Sequence, residues 1–142
     1  MSELKSSYRI ITNENLVIEF HKGILTADCY INFKKELMQD SRIKSNMNYL
    51  INFRNITFNV SPSDVKMFAE FMSGRSEELG KRKVALITET PNQVVSTTIY
   101  KSLEVGLNQS AEIFSTLAPA INWLKIGLTL KELRSLFNEM NR

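Results

Sequence analysis

The chain has 142 residues, of which 43% are hydrophobic and 23% charged, and this indicates one soluble globular domain with its own core. The net charge of +3 is small and its basic residues are scattered, which does not indicate nucleic-acid binding. A single cysteine, Cys29, excludes an intrachain disulfide and a cysteine-based zinc site. No apolar run reaches the roughly 20 residues of a membrane span or resembles a signal peptide, so we expect a cytoplasmic protein.

The apolar pattern predicts a short antiparallel hairpin followed by strands that alternate with helices. In chain order we predict a flexible tail at 1–7, strands at 8–12 and 16–22, a helix at 27–39, a strand at 49–53, a helix at 62–79, a strand at 84–87, a helix ending near 106, a strand at 111–114, a helix at 117–124 and a last helix from 130. The order ββαβαβαβα favours an α/β fold with a mixed, mainly parallel sheet of about five strands. The domain spans 8–127, and 128–142 forms a C-terminal amphipathic helix.

Some side chains have expected positions within this scheme. The basic run at 81–83 is expected in a solvated loop before a strand, and Lys34 is expected to turn outward from its helix. The side chain of Cys29 is expected to be buried and to pack against apolar neighbours.

The stretch from the strand at 49–53 to the helix at 62–79 places a helix N-terminus after a buried strand, where α/β sheets often keep their sites. Ser61 is the predicted N-cap, and Asp64 has the position of a capping-box acid. A helix N-terminus attracts anions, so Ser61 and Ser63 are candidates for a phosphorylation or anion site. The alternative is that Ser61 only caps the helix.

The same helix has an apolar arc of roughly 200°, wider than one buried stripe needs. The candidates for a partner or ligand surface on this arc are Met67, Phe68, Phe71 and Met72. Either the first helix or a loop covers the surplus, or Met67 and Phe71 form a partner or dimer surface.

One local motif resembles a known family. The run at 50–58, Leu-Ile-Asn-Phe-Arg-Asn-Ile-Thr-Phe, is similar to the central strand and turn of the STAS family, and the segments at 83–88 and 114–124 resemble its next strand and its closing helix. The most similar branch is the SpoIIAA-like group, which is sometimes grouped with lipid-binding SEC14-type domains. The resemblance implies a non-enzymatic regulatory or protein-interaction domain in which a serine at the position of Ser61 is phosphorylated. Here Val60 replaces the aspartate before that serine, and Pro62 replaces the small residue after it.

Catalysis is not expected, because the chain has no P-loop, no nucleophile elbow and no cluster with metal-ligand spacing. His21, the one histidine, would support an enzyme only if folding placed it beside an acid and a hydroxyl. No metal and no cofactor are predicted.

Two functions therefore compete. The first is a protein-interaction or regulatory domain, self-association included, that acts through the helix at 62–79. The second is a carrier of a small apolar ligand or lipid, which requires an internal cavity of roughly 300 Å³. The apolar stripe of the last helix packs either on its own domain or on a second subunit.

Overall fold

The protein is described by a computed structural model that covers residues 3–142, so Met1 and Ser2 of the predicted tail lie outside the described residues. Five strands form one sheet in the order in which they occur in the chain. They are β1 (Lys5–Ile11), β2 (Leu16–Leu25), β3 (Asn48–Phe58), β4 (Arg82–Ile87) and β5 (Gln109–Phe114). β1 pairs with β2 antiparallel and the other pairs are parallel, which confirms the predicted mixed, mainly parallel sheet.

Six helices surround the sheet in the described part of the chain. They are α1 (Ala27–Met38), α2 (Pro62–Ser73), the single turn α3 (Ser76–Leu79), α4 (Pro91–Ser102), α5 (Leu117–Leu124) and α6 (Leu130–Met140). Right-handed crossovers in a sheet whose strand order follows the chain place every crossover helix on the same face. Accordingly, α1, α2 and α4 pack on one face, which leaves the opposite face to α5 and α6.

The strands are longer than predicted. β1 begins at Lys5, so the predicted tail at 1–7 is wrong over its last three residues, which pair with β2. Gly23 was expected to end β2, but it adopts φ 101° and the strand continues through it to Leu25. The register shifts between Phe20 and Lys22, and the extended half of β2 then pairs with the end of β3.

The helix predicted at 62–79 is two helices. α2 ends at Ser73, and Gly74 follows as its C-cap before the short α3. The apolar positions continue across the break, and for that reason the periodicity alone did not reveal it.

The apolar stripe of α6 packs on its own domain. Leu133, Phe137 and Met140 are buried with side chains of β2, β3 and β4 in the cluster that α5 also joins. Of the two alternatives, packing on its own domain or on a second subunit, the last helix shows packing on its own domain.

Candidate functional site

The start of α2 has the predicted capping geometry. The Ser61 hydroxyl accepts a hydrogen bond from the Asp64 backbone N–H at 3.1 Å, and the Ser61 N–H donates to Asp64 Oδ2 at 2.9 Å. The carboxylate therefore already lies at the positive end of the helix, where it would repel a phosphate. Ser61 and Ser63 are both exposed, so a kinase can reach them, and phosphorylation stays a prediction.

The four α2 side chains proposed as a partner or ligand surface separate into two groups. Phe68 and Met72 point inward and line a cavity. Met67 lies outside with 42% of its surface exposed, and Phe71 is half-buried with the cationic groups of Lys35 and Arg75 over its ring. The width of the apolar arc follows from this arrangement, because α2 contacts α1 and α4 and its Phe68 packs on the buried cluster that includes side chains of β2, β3 and β4.

The cavity lies between the sheet and helices α1, α2 and α4 and has a volume of about 70 Å³. It is almost entirely apolar. Its apolar lining is Leu25, Ala27, Tyr30, Ile51, Phe53, Phe58, Val60, Val65, Phe68, Met72, Val84, Leu86 and Tyr100. The volume is well below the roughly 300 Å³ that the carrier hypothesis requires, so the cavity does not support a carrier of a lipid or of a drug-sized ligand. It is large enough for several waters or one small molecule.

The polar lining of the cavity is cationic at one end. Lys34, Arg82 and Gln109 contribute to the lining, and Lys34 and Arg82 are only 3% and 4% exposed. The Lys34 Nζ lies 4.6 Å and the Arg82 Cζ 5.2 Å from the ring centre of Tyr49, so both cations contact the same aromatic ring. Both predictions of exposure are therefore wrong: Lys34 turns into the domain, and Arg82 belongs to β4 rather than to a solvated loop.

Lys34 has a buried counter-ion. It forms an ion pair with Glu19, whose carboxylate also accepts hydrogen bonds from the Tyr30 hydroxyl and from His21 Nε2, each at 2.8 Å. Burial raises the pKa of Glu19, but the charge of Lys34 and the hydrogen bond from His21 outweigh burial and bring this pKa to about 2. Burial lowers the pKa of Lys34, and the nearby charge of Arg82 lowers it further against the opposing effect of Glu19.

The network continues from Glu19 to the edge strand. Because the ionised Glu19 only accepts hydrogen bonds, His21 Nε2 carries a proton, and Nδ1 is left to accept from the Ser6 hydroxyl at 2.6 Å. Folding thus brings His21 beside the acid Glu19 and the hydroxyl of Ser6, which is the arrangement that would support an enzyme. Neither Ser6 nor His21 is among the residues that line the cavity.

The sequence contained a signal for this network. Lys34 lies at helical spacing with Tyr30 and Leu37 on the apolar face of α1, and Glu19 and His21 alternate on one face of a buried strand. The topology packs this face of α1 on this face of β2. A lysine on one of them and a glutamate on the other therefore indicate a buried ion pair. Arg82 likewise shares a strand face with Val84 and Leu86.

Cys29 was expected to be buried, and this is wrong. It follows the N-cap Thr26 in the first turn of α1 and is exposed. None of the helices among residues 3–142 is long and apolar enough to cross a membrane.

Comparison with solved structures gives the fold an independent test. An uncharacterised DUF3478-family protein from Shewanella loihica PV-4, which has a SpoIIAA-like fold, superposes with a TM-score of 0.55 over 87% of this chain and 98% of that chain. The chain has a SpoIIAA-like fold. At 15% identity the likeness concerns the SpoIIAA-like fold alone, and it confirms the fold that the motif at 50–58 implied. No protein-family model matches the chain, and no curated protein matches it.

Proposed function

We propose that this SpoIIAA-like protein is a non-enzymatic binding domain whose cavity takes one small, mainly apolar molecule. The observation that carries the proposal is the cavity under α2, which combines an apolar lining with buried polar groups at one end. Binding sites for small molecules have this composition, in which apolar walls supply affinity and a few polar groups fix orientation. The cavity size favours a small molecule over a lipid.

Five aromatic side chains support this assignment. Tyr30, Phe53, Phe58, Phe68 and Tyr100 line the cavity, and several of their ring centres lie between 4.9 and 5.7 Å apart. Rigid aromatic walls lose little conformational entropy when a ligand binds. Met72 adds an adaptable side chain at the same wall.

Amide NMR with apolar compounds of about four or five non-hydrogen atoms, both charged and uncharged, tests the proposal, because this size suits a cavity of about 70 Å³. A binding compound should shift the amides of residues that line the cavity. Ser96→Leu fills the cavity and should remove binding, whereas Ser102→Leu makes the same change at an exposed position of α4 and should keep it. If none of the compounds binds, or if binding survives Ser96→Leu, the proposal is wrong.

A protein-interaction or regulatory role is the second candidate, favoured by the exposed apolar side chains of α2 and α4. Met67, Val94 and Val95 are 42%, 42% and 58% exposed. Met67→Asp should then reduce self-association or partner binding while the melting temperature stays unchanged, and Lys66→Asp is the matched exposed control. A solution mass and partner binding unaffected by Met67→Asp would count against this role.

A further inference from the structure

The cavity contains a buried cation without a counter-ion. Among the ion pairs of residues 3–142, Lys34 is paired with Glu19, but none includes Arg82. A guanidinium does not lose its proton in a protein, so Arg82 stays charged at 4% exposure. Burying an unpaired charge is strongly unfavourable.

Two hydrogen-bond donors at the same end of the cavity are also unused. Arg82 and Gln109 are register partners on β4 and β5, and Arg82 Nη2 donates to Gln109 Oε1 at 3.0 Å. The Tyr100 hydroxyl donates to the same oxygen at 3.1 Å. Arg82 Nε and Gln109 Nε2 are buried and have no acceptor within the described residues. Buried donors are almost always satisfied, so an acceptor is missing from this end of the cavity.

Resting on the proposed function, we infer that the cavity binds a small monocarboxylate with an apolar body, whose carboxylate takes the donors of Arg82 and Gln109. One negative charge balances the buried groups, because Glu19 and Lys34 already neutralise each other. A carboxylate also matches the planar donor edge of a guanidinium.

The shape of the cavity agrees with such a ligand. Leu25 and Phe58 end β2 and β3, whereas Arg82 and Gln109 begin β4 and β5. Because these strands are parallel, the apolar side chains and the unused donors lie toward opposite ends of the cavity. A carboxylate bound at Arg82 would therefore extend its apolar part between the aromatic walls.

Two neighbouring groups could weaken this assignment, and the geometry argues against both. Asp64 also lines the cavity, but its carboxylate accepts from the Ser61 N–H and caps α2. Lys34 is engaged by Glu19 and adds positive potential without needing a second partner. A phosphate would bring more charge and a larger hydration shell than this apolar cavity can accommodate.

The test compares propionate with 1-propanol, which has nearly the same shape and no charge and, like propionate, suits a cavity of about 70 Å³. Titration calorimetry in a buffer free of other carboxylates should show propionate binding at least about tenfold tighter. Arg82→Met should remove this preference and leave the alcohol affinity unchanged. Lys81→Met removes an exposed cation from the adjacent position and should behave like the unsubstituted protein.

The outcomes separate this inference from the proposed function. Equal affinities for the acid and the alcohol would overturn the carboxylate assignment and keep the cavity as an apolar site. A preference that survives Arg82→Met would also overturn it. If neither compound binds and no other compound does, the proposed function itself fails. Because Arg82→Met removes an unpaired buried charge, we expect the variant to fold, and its far-ultraviolet circular dichroism checks this.

Discussion

At the scale of single residues, the buried charges depart furthest from the rules of sequence reading. A lysine on a helix and an arginine in a basic run are normally exposed, and so Lys34 and Arg82 were assigned to solvent. Long-range folding decides otherwise, since Glu19 lies 15 residues from Lys34 in the chain. Positions that break local rules are frequently functional, and this supports a binding role for the Arg82 end of the cavity.

The ion pair between Glu19 and Lys34 should make stability depend on pH. The pKa of Glu19 falls from 4.5 to about 2 on folding, so the ionised carboxylate stabilises the protein above pH 4.5 and this contribution disappears as the pH falls toward 2. The shift corresponds to roughly 3 kcal/mol in the free energy of unfolding. Urea denaturation between pH 2 and pH 7 measures it.

The Glu19→Gln variant separates this contribution from other carboxyl groups. At pH 7 it should lose about 3–5 kcal/mol, because Lys34 is left as an unpaired buried cation. The double variant Glu19→Gln/Lys34→Met should recover part of the loss. An acid transition of Glu19→Gln as steep as that of the unsubstituted protein would contradict the assignment.

Ser6 should not act as a nucleophile, despite its place in a hydroxyl–imidazole–carboxylate chain. Neither Ser6 nor His21 lines the cavity, so the cavity does not give a substrate access to this hydroxyl. We expect no covalent labelling of Ser6 by a fluorophosphonate, measured by intact mass. Labelling that disappears in His21→Ala would show that His21 activates Ser6 as a nucleophile, and this would contradict a non-enzymatic role. Ser6→Ala should cost about 1–3 kcal/mol in unfolding free energy by removing a partner of His21.

At the scale of elements, helix starts were the most predictable features. Ser61 forms the predicted capping box with Asp64, and Thr90 and Thr129 form capping boxes of the same spacing at the starts of α4 and α6. These motifs are local, and hence a sequence shows them directly. The ends of strands were less predictable. β2 and β3 are each longer than expected because their last residues pair with one another, and such pairing is not visible in the local sequence. The break after Ser73 was missed for a related reason, since tertiary contacts preserve the apolar face on both sides of it.

The cap of α2 gives an element-scale prediction. Ser61→Ala should lower the free energy of unfolding by about 1 kcal/mol through loss of the hydrogen bond to Asp64 N–H. Ser63→Ala, at an exposed neighbouring position, should have a much smaller effect. Propionate binding should be unchanged in both variants, because neither hydroxyl lines the cavity. A tenfold loss of binding in Ser61→Ala would instead make the start of α2 part of the site.

At the scale of the whole molecule, the topology determines where a site can exist. The strand order follows the chain, so the three crossover helices α1, α2 and α4 share one face and enclose the cavity against β2, β3, β4 and the start of β5. The alternation of strands and helices was enough to predict the fold class. The cavity and its charges were not predictable in the same way, because they depend on how three helices meet over one sheet.

The most direct measurement is the Arg82 Nε–H resonance in nitrogen-15 NMR, assigned by its absence in Arg82→Met. This donor has no acceptor within the described residues, so a bound carboxylate should give it one. On saturation with propionate, this resonance should show a downfield proton shift and slower exchange with water, with no such change for 1-propanol. An Arg82 Nε–H signal that does not move while the cavity amides saturate would contradict the account.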